Sequence, residues 1–211
     1  MDSKEPSSGV VRFLDFIKEK GEIKKLKGIE MGCGKGRNVI WLAKQGIAMT
    51  GFDFSPSAIQ EARKRPKKSE KNDNITFLVH DATKRWPFES NYFDLAIDCF
   101  ATTDIETVKR RRFSVKEILR VLKPKGYLLV YAMSTDDEFH KKMLKASPAK
   151  EKNAFLHPTT GKFEKIFERK ELLNLYSRLN LIKETRIKKT TVFFGKEYDC
   201  NHHWMIFQKR V

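Results

Sequence analysis

The chain has 211 residues, of which 40% are hydrophobic and 33% are charged. This length and apolar content predict a single domain over residues 1–211 with a real core. No apolar run approaches the roughly 20 residues that a membrane-spanning helix needs. The first residues also lack the basic start and apolar stretch of a secretory signal. We therefore expect no membrane partner.

The formal net charge of +16, with a pI near 9.7, is the unusual feature of the composition. Such a surface attracts polyanions, so a nucleic-acid partner stays open. The basic residues are spread along the chain, from Lys24-Lys25 to Lys188-Lys189. Spread of this kind favours a lysine-rich surface that keeps the protein in solution over a dedicated binding stripe.

Three cysteines, Cys33, Cys99 and Cys200, are widely spaced and odd in number. That pattern fits neither a disulfide framework nor a zinc knuckle, and it favours a reducing compartment. The sequence therefore predicts a cytoplasmic protein without a metal site.

Apolar spacing predicts helices and strands that alternate along the chain. The first is a helix in residues 1–22, centred on Val10–Lys20 and ended by Gly21. The remaining elements are predicted at these places, in chain order: strand Leu26–Met31, helix Lys35–Lys44, strand Ala48–Phe54, helix Pro56–Arg65, strands Ile75–Val79 and Phe93–Asp98, helix Val108–Leu122, strand Tyr127–Met133, a short helix Glu138–Lys145, helix Arg169–Leu179, and strands Leu181–Phe194 and His203–Lys209.

Alternation of this kind predicts a mostly parallel sheet with helices on both faces. The last two strands are joined by a short loop, Gly195–Asn201, which forces them to run antiparallel. Residues 134–168 are predicted as a mostly irregular, lysine-rich insert that forms a lid or substrate cap. The insert contains four phenylalanines among its lysines: Phe139, Phe155, Phe163 and Phe167. Their rings either pack the insert onto the domain or, with the lysines, stack on nucleic-acid bases.

A glycine-rich loop follows the first strand and precedes a helix. Gly32, Gly34 and Gly36 alternate there, which permits a tight turn and a close approach of a ligand to the backbone. Arg37 occupies the place of the third glycine of the dinucleotide fingerprint, and no phosphate-loop motif is present. With Glu30 on the incoming strand, the pattern E-x-G-x-G-x-G resembles motif I of the Rossmann-like methyltransferases. That resemblance implies a ligand with an amino-acid portion, whose ammonium group Glu30 would hold.

Acidic residues end the next strands. Asp53 ends the second strand ahead of Ser55-Pro56, where Ser55 is the predicted N-cap. An acid at that strand tip accepts hydrogen bonds from ribose hydroxyls, although a turn aspartate is the alternative. Asp81, with Ala82 after it, ends the third strand. Asp81 is a second candidate for binding the ligand, and an ordinary turn residue at the end of the strand is again the alternative.

These motifs, ordered between Lys24 and Met133, resemble those of the class I, Rossmann-like S-adenosylmethionine-dependent methyltransferases. The resemblance implies a three-layer α/β fold with a seven-stranded sheet of order 3-2-1-4-5-7-6, the last strand antiparallel. It also implies S-adenosylmethionine as cofactor and S-adenosylhomocysteine as product. The cofactor-binding residues that it implies are Glu30, Gly32, Cys33, Gly34, Gly36, Asn38, Asp53, Phe54, Ser55, Asp81, Ala82, Asp98, Cys99 and Phe100.

Within the family, Arg37 and Asn38 after the glycines resemble the small tellurite-resistance and thiopurine-type enzymes. That similarity implies a small acceptor methylated by in-line displacement. Two alternatives stay open: a tRNA or rRNA methyltransferase of the same fold, and a non-catalytic S-adenosylmethionine-binding protein. A monomer and a homodimer are equally compatible with the sequence.

The sequence does not identify a catalytic residue. Methyl transfer from a sulfonium needs mostly alignment and exclusion of water, and a base only for a protonated acceptor. Four histidines are candidates for that base, with an ordinary structural role as the alternative for each. These are His140, His157, His202 and His203. His203 and Trp204 are expected to face opposite sides of the last strand.

Overall fold

The computed structural model describes residues 5–65, 74–193 and 195–211. Its helices are α1 Ser8–Lys18, α2 Arg37–Lys44, α3 Pro56–Lys64, α4 Ala101–Asp104, α5 Val108–Val121, α6 Glu138–Ala146 and α7 Arg169–Leu175. Its strands are β1 Lys27–Met31, β2 Ala48–Asp53, β3 Ile75–Val79, β4 Phe93–Cys99, β5 Leu122–Met133, β6 Ala154–Leu156, β7 Phe163–Lys165, β8 Leu179–Phe193 and β9 Lys196–Lys209.

Seven strands form one sheet in the order β3-β2-β1-β4-β5-β9-β8. The first five pair in parallel, and β9 runs antiparallel to both β5 and β8. Numbered along the chain, this is the order 3-2-1-4-5-7-6. The predicted fold class, strand order and antiparallel last strand are confirmed.

Apolar side chains cover both faces of the sheet and make three layers. On one face, Phe13 of α1, Leu42 of α2 and Ile59 of α3 belong to one core cluster. On the other face, Ile118 of α5 and Leu172 of α7 belong to a second cluster. The inner parallel strands β1, β4 and β5 have buried side chains on both faces, whereas the edge strand β3 is partly exposed. All carboxyl ends of these parallel strands meet at one edge of the sheet.

The end of the chain differs from the prediction. The loop predicted over Gly195–Asn201 belongs almost entirely to β9, which begins at Lys196. Gly195 has a φ of 74° in a tight hairpin turn, and pairing starts at once between Phe193 and Lys196. Polar residues in this stretch suggested a loop, but they lie on an exposed strand face. The last residue of the predicted strand Leu181–Phe194 lies outside the described residues.

The segment 134–168 also contains more structure than predicted. Beside the expected α6, β6 and β7 form a small antiparallel sheet, with Phe155 opposite Glu164. Phe139, Phe155 and Phe167 are buried, so packing explains these three rings. Two boundaries were also misplaced: α7 ends at Leu175, and β5 begins at Leu122 through an irregular register.

No helix in the described ranges combines the length and the apolar character that crossing a bilayer requires.

Candidate functional site

The glycine loop, residues 32–36, lies between the carboxyl end of β1 and the start of α2. Gly32, Gly34 and Gly36 have φ angles of 64°, 53° and 77°, in the left-handed region. A Cβ atom on Gly36 would lie 2.6 Å from the Phe77 ring, and one on Gly32 would lie 2.7 Å from Ala101 Cβ. A Cβ atom on Gly34 would meet no heavy atom of the described structure within 4 Å. The middle glycine thus faces open space, where a ligand can approach the backbone.

Glu30 is a buried acid at the base of this loop. Asn38 Nδ2 donates a hydrogen bond to Glu30 Oε1 at 2.6 Å, and Asn38 Oδ1 accepts one from the Ser7 backbone N–H at 2.8 Å. The second oxygen, Oε2, is buried and has no partner among the described atoms. Desolvation raises the pKa of Glu30 to about 8. A buried carboxyl with one unpartnered oxygen fits an ammonium group, which would supply both a donor and a compensating charge.

Asp53 joins the end of β2 to the glycine loop. Its Oδ2 accepts a hydrogen bond from the Gly34 backbone N–H, and its Oδ1 accepts one from the Ser55 N–H, both at 2.9 Å. Ser55 is the N-cap of α3, where its hydroxyl accepts a bond from Ala58 N–H, as predicted. Phe54 is 73% exposed between them. The Asp53 carboxylate is therefore fixed in place by backbone groups.

Asp81 follows β3 in a tight turn. Its Oδ1 accepts hydrogen bonds from the backbone N–H and the hydroxyl of Thr83, each at 2.8 Å. Desolvation raises the pKa of Asp81, but these two bonds together with the nearby charges of Lys84 and Arg110 lower it, and the net pKa lies below its usual value. Asp81 is therefore an ionised acceptor beside Ala82 at the edge of a cavity.

Two adjoining cavities open at this edge of the sheet. One, of about 480 Å³, is lined by residues from the ends of β2, β3 and β4, and the other, of about 390 Å³, by the glycine loop and Glu30. Gly32, Cys99 and Phe100 line both. The other predicted residues that line one of them are Glu30, Cys33, Gly34, Asn38, Asp53, Phe54, Asp81 and Ala82. His80, which the sequence analysis did not select, lines the larger cavity.

Asp98 does not line either of these cavities. Tyr176, the C-cap residue of α7, donates a hydrogen bond to Asp98 Oδ2 at 2.5 Å, and the Thr102 backbone N–H donates one to Oδ1 at 3.0 Å. Burial raises the pKa of Asp98. Successive residues of a strand face opposite sides, so Cys99 reaches the cavities while Asp98 anchors α4 and α7. Thr102 lies only four residues after Asp98, so this contact is local in the sequence. Tyr176 is distant in the chain and gives no local signal.

The four histidines lie in different surroundings. His202 of β9 is buried with its Nδ1 3.0 Å from the Tyr131 hydroxyl, and its ring lies 5.0 Å from that of Phe100. His140 of α6 is buried with its ring 6.3 Å from that of His202. His203 faces the other side, with Nε2 2.9 Å from the Phe167 carbonyl oxygen. His157 is half-exposed in a loop.

Comparison with known proteins agrees with this geometry. Residues 23–171 match the family model described as a methyltransferase domain. The chain is 31% identical over 111 residues to a demethylmenaquinone methyltransferase of Tropheryma whipplei, covering 53% of this chain and 43% of the relative. It is 28% identical over 113 residues to the sterol 4-C-methyltransferase strm-1 of Caenorhabditis elegans, covering 54% and 33%. The chain spans less than half the length of these curated relatives.

Solved structures extend the similarity to nearly the whole chain. A SAM-dependent methyltransferase of Methanosarcina mazei has a TM-score of 0.78 at 26% identity, covering 92% of this chain and 97% of that one. A TehB-like SAM-dependent methyltransferase of Corynebacterium glutamicum has a TM-score of 0.61 at 18% identity, covering 96% and 88%, and shows the fold alone. The family model covers more than half of the sequence, so this chain belongs to the methyltransferase domain family, with S-adenosylmethionine as its cofactor.

Proposed function

We propose that this protein transfers the methyl group of S-adenosylmethionine to a small-molecule acceptor. One observation carries the proposal: of two adjoining cavities, the smaller is lined by Glu30, whose Oε2 has no hydrogen-bond partner in the described structure, and the larger is lined by Asp53 and Asp81. These groups complement an ammonium, a ribose and an adenine in turn. The larger cavity, about 480 Å³, is of the size that small-molecule sites have.

The chain's residues divide the work of holding the cofactor. Glu30 and the backbone of the glycine loop would hold the amino-acid portion, Asp53 the ribose hydroxyls, and Asp81 with Ala82 the adenine edge. Phe54, exposed at the rim, would cover the base. The cofactor supplies the methyl group on a good leaving group. The protein's remaining tasks are alignment of the acceptor and exclusion of water.

The packing of residues 134–168 favours a small acceptor over RNA. Lys162 of this segment forms an ion pair with Asp104 at 2.5 Å, and Glu151 forms one with the buried Arg111. These contacts show that the segment lies against α4 and α5, whose residues line the larger cavity. A substrate cap at that place suits a small molecule. The relatives named for demethylmenaquinone and a sterol also have small acceptors in their names.

Calorimetry of cofactor binding tests the donor site. Asp53→Asn keeps the size of the side chain but replaces one acceptor oxygen, so we expect at least tenfold weaker binding, which is about 1.4 kcal/mol. The matched control is Asp94→Asn, because Asp94 also accepts a backbone N–H bond, from Lys27 at 2.9 Å, at the opposite end of the sheet. Unchanged affinity in Asp53→Asn would place the ribose elsewhere.

A panel of acceptors with labelled cofactor tests the acceptor class. We expect transfer to a small molecule among thiols, chalcogen oxyanions, amines and phenols. Saturable methylation of one RNA at physiological salt would replace this proposal with the RNA alternative that the +16 charge motivates. RNA binding that is lost as the salt concentration rises, without methylation of the RNA, would reflect charge attraction alone. Tight cofactor binding without transfer to any acceptor class would favour a non-catalytic binding protein.

A further inference from the structure

Three buried side chains converge beside the candidate site, and we call Asp137, His140 and His202 the histidine cluster. Asp137 is the N-cap of α6, and His140 is the third residue of that helix. His202 lies on β9 opposite Met133, the last residue of β5. Their exposed fractions are 0%, 5% and 5%.

The ligand-capable atoms of the cluster face one another. Asp137 Oδ1 lies 2.6 Å from His140 Nδ1, and Asp137 Oδ2 lies 3.6 Å from His202 Nε2. One such atom from each residue lies within 4.8 Å of the other two. The 2.6 Å contact is an ion-pair distance, although its angles are not those of a hydrogen bond. The three side chains therefore direct a carboxylate and two imidazole nitrogens toward one buried point.

We propose that the histidine cluster binds one divalent first-row transition metal ion, of the zinc or iron(II) type. Two imidazole nitrogens and one carboxylate oxygen suit these ions, whereas magnesium and calcium prefer oxygen ligands alone. Bonds of about 2.0–2.2 Å to nitrogen and oxygen require only small side-chain shifts from the present separations. Two neutral imidazoles and one carboxylate leave a single compensating charge for the ion. Sets of three protein ligands typically leave a position for water or another ligand.

The surroundings of the cluster resemble the outer shell of a metal site. The Tyr131 hydroxyl lies 3.0 Å from His202 Nδ1, the ring nitrogen that faces away from Asp137. Asp137 accepts backbone N–H bonds from His140 at 2.9 Å and from Asn201 at 2.7 Å. Such partners fix the orientation of ligating side chains. They therefore hold the cluster in position before any ion binds.

The histidine cluster lies next to the two cavities of the candidate site. His202 packs edge-on against Phe100, whose ring lines both cavities. The ion would thus lie behind Phe100, at the side of the site formed by β5 and β9. The inference depends on the cluster alone and does not require the proposed methyl transfer.

Titration of chelator-treated protein with Zn²⁺ and Co²⁺ tests the proposal. We expect one tight ion per chain by calorimetry, a visible Co²⁺ absorption band that reports nitrogen ligands, and a higher Tm with metal. His140→Gln and His202→Gln should each weaken binding at least tenfold. The matched control is His203→Gln, because His203 is a buried neighbour on the same strand that faces the other side, and it should bind as the unaltered protein does.

A third variant covers the case in which a ligand substitution prevents folding. Tyr131→Phe removes only the hydroxyl beside His202, and outer-shell changes typically weaken metal binding by about ten- to a hundredfold. Calorimetry of S-adenosylmethionine binding to each variant separates a failed metal site from a failed fold or donor site. The proposal is overturned if the unaltered protein binds no stoichiometric ion. Equal binding by the His140, His202 and Tyr131 variants would overturn it as well.

Discussion

The glycine loop and the histidine cluster are built in different ways. The loop is a local structure: five consecutive residues, three left-handed φ angles and a backbone N–H bond to Asp53 define it. The cluster is a tertiary structure: the N-cap and first turn of α6 supply two members, and the β5–β9 register supplies the third. We infer that changes at the loop act mainly on ligand affinity, while changes around buried side chains act on stability.

The largest effect is expected where the loop meets a buried charge. The pKa of Glu30 is about 8 in the folded protein against 4.5 as its ordinary value, because of desolvation. The folded state therefore holds this proton more tightly, and the free energy of unfolding should fall as pH rises from 4.5 to 8, by a few kcal/mol. Glu30→Gln should remove this fall and leave the cofactor-free protein more stable above the window.

Urea denaturation across that window measures the effect of Glu30→Gln. Glu117 is the control with the opposite sign. Desolvation raises its pKa, but hydrogen bonds from Arg120 and the Trp86 backbone N–H lower it, and the net pKa lies below its usual value. Its contribution should be lost as pH falls, and Glu117→Gln should leave the decline toward high pH intact. A decline that persists in Glu30→Gln would show that another group causes it.

The next largest effects are expected at two buried tyrosines, one beside Asp98 and one beside the histidine cluster. Tyr176→Phe removes a donor from the buried carboxyl of Asp98 and should cost about 1–3 kcal/mol of unfolding free energy. Tyr131→Phe removes a bond to His202 and should cost about 0.5–1.5 kcal/mol. Chemical denaturation of both variants gives the values. A smaller loss for Tyr176 than for Tyr131 would contradict the anchoring role of Asp98.

Substitution of the middle glycine separates strain from ligand contact. Gly34→Ala and Gly161→Ala both place a Cβ atom at a left-handed φ, 53° and 68°, in space open to 4 Å. Each should cost about 1–2 kcal/mol of stability. Only Gly34→Ala should weaken cofactor binding, at least tenfold, because its Cβ atom would occupy the ligand's space. Calorimetry on both variants decides, and equal affinities would mean that the ligand avoids the loop.

The smallest effect is expected where segment 134–168 meets α4. Lys162 is half-exposed, so its ion pair with Asp104 should contribute less than about 1 kcal/mol. Lys162→Met should therefore leave Tm nearly unchanged, and the pKa of Asp104, already raised to about 6 by desolvation, should rise further. Lys170→Met, at an exposed pair with Glu168, is the control. A Tm change beyond that of the control would make this pair a main anchor of the segment.

Local patterns were sufficient for the parallel half of the sheet. Apolar runs bounded by glycine, proline and acidic residues located β1 to β4, because the signal of each such strand lies within a few consecutive residues. The same locality located the glycine loop, Glu30, Asp53 and Asp81. Long polar strands such as β8 and β9 were misjudged at their junction, since an exposed strand face resembles a loop in composition.

What the sequence by itself determined is the chemistry of consecutive residues: turns that need glycine, the N-cap at Ser55, and acids at strand tips. Tertiary structure decided which of them meet. It directed Asp98 away from the cavities and toward Tyr176, and it brought His202 beside Asp137. The physical reason is that backbone conformation follows from neighbouring residues, whereas contacts between distant side chains depend on strand register and helix packing.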